Sequence, residues 1–256
     1  MAGKDSGGLG LAVVVVAVLL ISGTIKAPDL DVDLDLPSLR DLPAAPTSAA
    51  PRDPNPALDD GLLEPAAARA ALAKLPIGSR PPEKSDGYRR DAFGPAWDDV
   101  DNNGCSTRQD VLYEWVDRSQ PVDARRSGRC AHSMWAGTWV SPYDGRARTF
   151  TNLKDPQQAQ QLPVDHVVPL REAYVSGAND WTADRRLQFA NDTTNLVPVS
   201  RADNSSKGGS DAAAWRPTKA YQCGYARRYV TVKAKYRLLI DPSEKDALQQ
   251  MLQRCR

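Results

Sequence analysis

Residues 163–208 constrain this chain more than any other part of it. The segment opens with Val164-Asp165-His166-Val167-Val168-Pro169-Leu170, passes through Asn195-Leu196-Val197-Pro198-Val199, and closes with Asp203-Asn204-Ser205-Ser206-Lys207-Gly208. The first two runs are short and rich in valine and leucine, which reads as two strands. Residues 202–215 follow as a helix or broken helix despite Gly208 and Gly209. One of the chain's two histidines stands here beside an aspartate. Neighbours on a strand point to opposite faces, so Asp165 and His166 address different atoms. Asn195 opens the second strand, where its amide can fix the loop behind His166. Asn204 and Lys207 are three residues apart and share a helix face.

These residue types fit a definite chemistry. Hydrolysis of a phosphodiester needs an activated water and charge compensation at the phosphoryl and leaving oxygens, and a divalent cation can supply the latter. Hard cations take oxygen ligands, which Asp165 and the Asn204 amide offer. A histidine near its ordinary pKa of ~6.5 can take a proton from water at neutral pH. Lys207 could reach a phosphate oxygen, and Arg108 and Arg171 are further candidate substrate contacts. One histidine with no cysteine beside it favours Mg²⁺ or Mn²⁺ over Zn²⁺.

The amino-terminal part reads differently. Residues 9–21 form an apolar run behind Lys4, of a length that suits a signal peptide or an amino-terminal membrane anchor spanning residues 1–23. Residues 24–65 are rich in proline, alanine and aspartate and read as a mostly disordered linker. Residues 1–82 carry seven basic and ten acidic side chains and the remainder 26 and 22, so the mild basic excess lies in the part expected to fold. That balance is compatible with a polyanion partner and does not require one. The four cysteines lack any C-x-x-C pair, and export would favour two disulfides. Three pairings are open. Cys105–Cys130 and Cys223–Cys255 are preferred because each closes a local loop.

Elsewhere the patterns predict helices over 65–75, 110–117 and 182–190, the last capped by Thr182. A strand pair is predicted around the Asp144-Gly145 turn, over 137–150. Residues 229–236 alternate like a strand. A last helix opens at Asp241-Pro242-Ser243-Glu244. His132 reads as structural or exposed. Asp99, Asp101, Asn102 and Asn103 read as a turn, since the spacing of a calcium loop is missing.

The Asp165-His166, Asn195 and Asn204-x-x-Lys207 elements together resemble the HNH endonuclease superfamily. The resemblance implies an α+β fold: a ββα-metal core within a helix-rich, disulfide-containing domain over residues 66–256. It also implies that Asp165 and Asn204 bind metal, that His166 is the general base and that Asn195 orients it. Tyr88-Arg89-Arg90-Asp91-Ala92-Phe93-Gly94-Pro95-Ala96-Trp97, Ser141-Pro142-Tyr143-Asp144-Gly145 and Ala212-Ala213-Ala214-Trp215-Arg216-Pro217 carry a narrower resemblance. They are similar to exported actinobacterial HNH proteins, which share a domain with the C-terminal part of GmrSD-type modification-dependent restriction enzymes. The expected activity is divalent-metal-dependent cleavage of nucleic acid, with DNA favoured by the resemblance, outside the cytoplasm. A second reading from a different class is a cell-surface or wall-binding module that keeps such a scaffold without turnover; the six tryptophans and the tether would suit it.

Overall fold

A computed structural model describes residues 61–79 and 87–255. The expected leader and nearly all of the expected linker lie outside these residues. The described part is a mixed α+β structure with two small antiparallel sheets, eight α-helices and two disulfides among the described residues.

Helix α1 (Pro65–Lys74) starts on a proline, whose fixed φ suits a first turn, and buries Ala68 and Leu72. Helix α2 (Thr107–Trp115) lies against a three-stranded sheet in the order β1-β2-β3. Strand β2 (Cys130–Val140) pairs with β3 (Ala147–Phe150) across the Asp144-Gly145 turn, with Val140 opposite Ala147. Strand β1 (Asp123–Ser127) is an exposed edge without apolar alternation, and no sequence pattern marks it. After the short helix α3 (Pro156–Ala159), strand β4 (Val164–His166) pairs antiparallel with β5 (Leu196–Pro198). Between them run α4 (Leu170–Val175) and α5 (Ala183–Ala190). The Thr182 hydroxyl accepts from Arg185 N, satisfying a first-turn amide of α5. Helix α6 (Arg201–Lys207) follows β5 directly.

The remaining layer corrects one expectation. Residues 229–236 are not a strand but the last two turns of helix α7 (Gln222–Tyr236). Tyr225, Tyr229 and Lys233 recur every four residues and are all fully buried, so the helical period outweighs a short alternation. Arg237, in the left-handed region at φ 56°, ends this helix. Helix α8 (Pro242–Leu252) is capped by Asp241, whose Oδ1 accepts from Glu244 N. Cys223 at the start of α7 is bonded to Cys255 just beyond α8, so the two helices run antiparallel. Helix α1 joins this pair through Arg69, which donates to Leu252 O, and through a bridge between Ile77 and Ile240.

Cys105 and Cys130 form the second bond, which fastens the start of α2 to the start of β2. Gly104 is required there. Its φ is 90°, and a Cβ would come within 2.8 Å of the Arg129 backbone. The Cys223–Cys255 bond closes a 32-residue separation, a constraint worth about 3–4 kcal/mol through the unfolded chain. The double variant Cys223→Ser/Cys255→Ser should lose about that much in denaturant unfolding; an unchanged midpoint would show that packing alone holds the helix pair.

Candidate active site

The β4–β5 ladder sets Asp165 opposite Val197 and His166 opposite Leu196. Asn195, just before β5, is completely buried. Its Oδ1 accepts from Val168 N at 2.8 Å, its Nδ2 donates to Val168 O at 3.0 Å, and its own carbonyl accepts from Val167 N. One side chain therefore satisfies both polar groups of the residue two places beyond His166 and locks that loop.

His166 is 7% exposed. Its Nε2 lies 2.8 Å from Ala190 O at the end of α5. A carbonyl oxygen only accepts, so Nε2 carries the proton and the neutral ring has its lone pair on Nδ1. Nδ1 makes no hydrogen bond among the described residues and is not closed off from solvent. The Trp97 ring lies nearly parallel to the imidazole, at 10° and 5.8 Å between centroids. Burial pushes the His166 pKa down to about 4; the charges of Arg90 and Lys207 act the same way, and the Ala190 carbonyl and the Asp165 carboxylate act against it. The ring is thus neutral at physiological pH.

This has a consequence for stability. The unfolded histidine titrates near 6.5, so between that value and 4 the unfolded chain binds more protons. The buried neutral ring contributes fully above pH 6.5, and its contribution, about 3 kcal/mol, is lost as pH falls through 4. In chelator, the wild type should therefore weaken relative to His166→Gln on going from pH 7 to 4. Urea titrations at several pH values measure this, and parallel curves would contradict it.

Asp165 divides its two oxygens. Oδ2 accepts from Tyr143 OH at 2.7 Å and lies 2.9 Å from Lys207 Nζ. Oδ1 has no hydrogen-bond partner among the described residues and keeps contact with solvent. Tyr143 is fully buried, and burial together with the Asp165 charge raises its phenol well above the ordinary value, so it stays a donor. Tyr143 belongs to the Ser141–Gly145 segment that the sequence marks, but only the folded chain shows what it touches.

Lys207 departs from the expectation of a phosphate contact. Its side chain is 0% exposed, and Nζ donates to His166 O at 2.8 Å as well as pairing with Asp165. Lys207 is thus an internal brace for the strand that carries both residues. Gly208, at φ 52° and ψ −128°, ends α6 immediately afterwards and returns its N–H to Asn204 O. The Gly208-Gly209 pair accordingly terminates the helix, and Gly209 leaves room for the Arg171 stem. Asn204 is half-buried one turn before Lys207, and its side-chain amide makes no hydrogen bond among the described residues.

Arg108 also differs from expectation. Its half-buried guanidinium donates to Ala159 O and Leu162 O, which fixes the chain just before β4. Two of its donors are thereby directed at backbone carbonyls of this chain. Arg171, at the start of α4, packs its stem against Gly209. His132 pairs with Asp110 at 2.7 Å and stacks on Tyr113. Cys105, Cys130 and His132 bring ligand atoms within 4.8 Å of one another, but the two sulfurs are bonded together and offer no thiolate to a metal. The acidic stretch 99–103 is a turn, with Asp99 accepting from Gly104 N and Asp101 from Asn103 N.

Comparison with known proteins supplies the family. The model of the GmrSD restriction endonuclease C-terminal domain matches residues 116–251, just over half of the chain. This chain belongs to that family. The matched residues include Asp165, His166, Asn195, Asn204, Lys207 and Tyr143, while Cys105, Arg108 and Trp97 lie before them. The chain is also 38% identical over 191 residues to an uncharacterized secreted protein of the fungus Arthroderma benhamiae, covering 73% of this chain and 84% of the relative. No solved structure matches. A secreted relative and two disulfides are consistent with an extracellular setting for this family member. No helix among the described residues is long and apolar enough to cross a membrane.

Proposed function

We propose that this family member is an HNH-type, divalent-metal-dependent nuclease working outside the cytoplasm, with β4, β5 and α6 as its ββα core. One observation carries the reading: a neutral imidazole with an open Nδ1 stands beside a carboxylate with one open oxygen. The donor set fits a hard cation, because Asp165 Oδ1 and the Asn204 amide oxygen are oxygen donors that make no hydrogen bond among the described residues. These two residues would hold the ion, Mg²⁺ or Mn²⁺, which supplies charge compensation to the phosphoryl and leaving oxygens.

The chain's own groups do the rest. His166 Nδ1 takes the proton of the attacking water, and Ala190 O fixes the tautomer that leaves the lone pair on this nitrogen. Asn195 holds the loop after His166 and so fixes the direction of the ring. Tyr143 and Lys207 grip Asp165 Oδ2, which orients Oδ1 without occupying it. No base-reading helix is evident among the described residues, so sequence preference should be weak; DNA is the favoured substrate on the family resemblance.

Supercoiled plasmid incubated with the purified chain should be nicked or cut in Mg²⁺ or Mn²⁺, and should stay intact in chelator. Cleavage that persists at full rate in chelator would remove the metal from the reading. Intact plasmid, single strand and RNA in both metals would favour a binding module instead.

A further inference from the structure

The loop ahead of α2 builds a second feature against His166. A 3₁₀ turn, Arg90–Phe93, ends on Gly94 at φ 77°, and Pro95 and Ala96 lead to Trp97. Trp97 sits at φ 62°, a left-handed conformation that costs a bulky residue about 1–3 kcal/mol and is kept only where surroundings impose it. The Thr107 hydroxyl holds the next residue by donating to Asp98 O at 2.6 Å, two residues after the Cys105–Cys130 anchor. The outcome is an indole laid parallel to the imidazole.

Between this loop and His166 lies a shallow concave surface, open to solvent and lined by Phe93, Ala96, Trp97 and Leu170, with Arg90 on its border. Arg90 is exposed and has no hydrogen bond or ion pair among the described residues. Its neighbours differ: Arg89 pairs with Asp91, and Arg186 is spent on the carbonyls of Ala92, Ala178 and Trp181. An apolar wall and an uncommitted guanidinium beside a ring that would activate water describe a ligand with one planar apolar part and one anionic part. A nucleotide has both. In a duplex the base faces are covered by their neighbours in the stack, leaving phosphates and groove edges; only an unpaired base offers its face.

We propose that this pocket is the subsite for an unpaired nucleotide adjoining the scissile phosphate, with Trp97 and its neighbours against the base and Arg90 on the flanking phosphate, so that the substrate class is single-stranded nucleic acid. The inference rests on the nuclease reading but is tested apart from it. In chelator, where cleavage is off, fluorescein-labelled dT12, the dT12·dA12 duplex and rU12 are titrated into the full chain and followed by anisotropy. The single strand should bind about tenfold or more tightly than the duplex. Trp97→Gly, which removes the ring and relieves the backbone, should erase that preference. Ala96→Glu, at an exposed position, should erase it by repulsion without touching the imidazole. Arg90→Ala should weaken single-strand binding and lower the slope of log K against log salt by about 0.7. The rU12 arm tells RNA from DNA as the source of the strand.

Equal affinity for strand and duplex in the wild type, or equal weakening of both by the Trp97 and Ala96 variants, would overturn the proposal. Failure of the nuclease reading looks different: no substrate is cut with metal present, while the binding preference in chelator is unaffected.

Discussion

His166→Gln should lower the cleavage rate by about 10²–10⁴-fold, the usual loss when a positioned base is removed. Glutamine is chosen because its amide N–H can still donate to Ala190 O, so the buried carbonyl keeps a partner and the fold loses little. What disappears is the basic lone pair on Nδ1. A binding titration in chelator should give nearly the wild-type affinity, since the ring supplies no charge to a phosphate. Cleavage at the wild-type rate by a folded His166→Gln protein would remove this histidine from the chemistry, whatever the metal does.

Lys233→Met should cost about 3–5 kcal/mol of stability, because it strips the cation from two buried carboxylates. Lys233 Nζ lies 2.8 Å from Glu172 Oε1, 2.6 Å from Glu244 Oε2 and 2.7 Å from Leu239 O, with its side chain 0% exposed. Tyr229 OH and Ser176 Oγ donate to the same carboxylates. The cluster ties α4, which follows the His166 strand, to α7 and α8. One cation faces two acids, and burial raises the Glu244 carboxyl to about 7 although the Lys233 charge pulls it down. Its folded value lies above its unfolded one, so the folded state holds the extra proton. That contribution is complete below about 4.5 and is lost as pH rises through 7, opposite in sign to His166. The Lys233→Met deficit should therefore shrink toward acid pH, where the Glu244 carboxyl becomes neutral. Urea unfolding at pH 5 and 8 checks this; a deficit independent of pH would mean that packing, not charge, accounts for it.

Local chemistry alone determined a good part of this protein. Proline at the first turn of α1, the Thr182 and Asp241 caps, the Asp144-Gly145 turn and the cysteine spacing act within a few residues or one loop, so they are legible in the chain. The order of β4, β5 and α6, which carries the candidate residues Asp165, His166, Asn195 and Asn204, was legible for the same reason, since these elements are short and lie along one segment. What Lys207, Arg108 and Tyr143 do was decided only by tertiary structure. An ammonium on a helix face looks solvated until β4 closes over it, and a guanidinium becomes a brace only when two carbonyls 51 and 54 residues away turn toward it. The same holds for residues 229–236, whose local alternation is overruled because α7 is buried among α1, α8 and the Lys233 cluster. Burial makes unpaired polar groups expensive, and partners far apart in sequence must then be found in space.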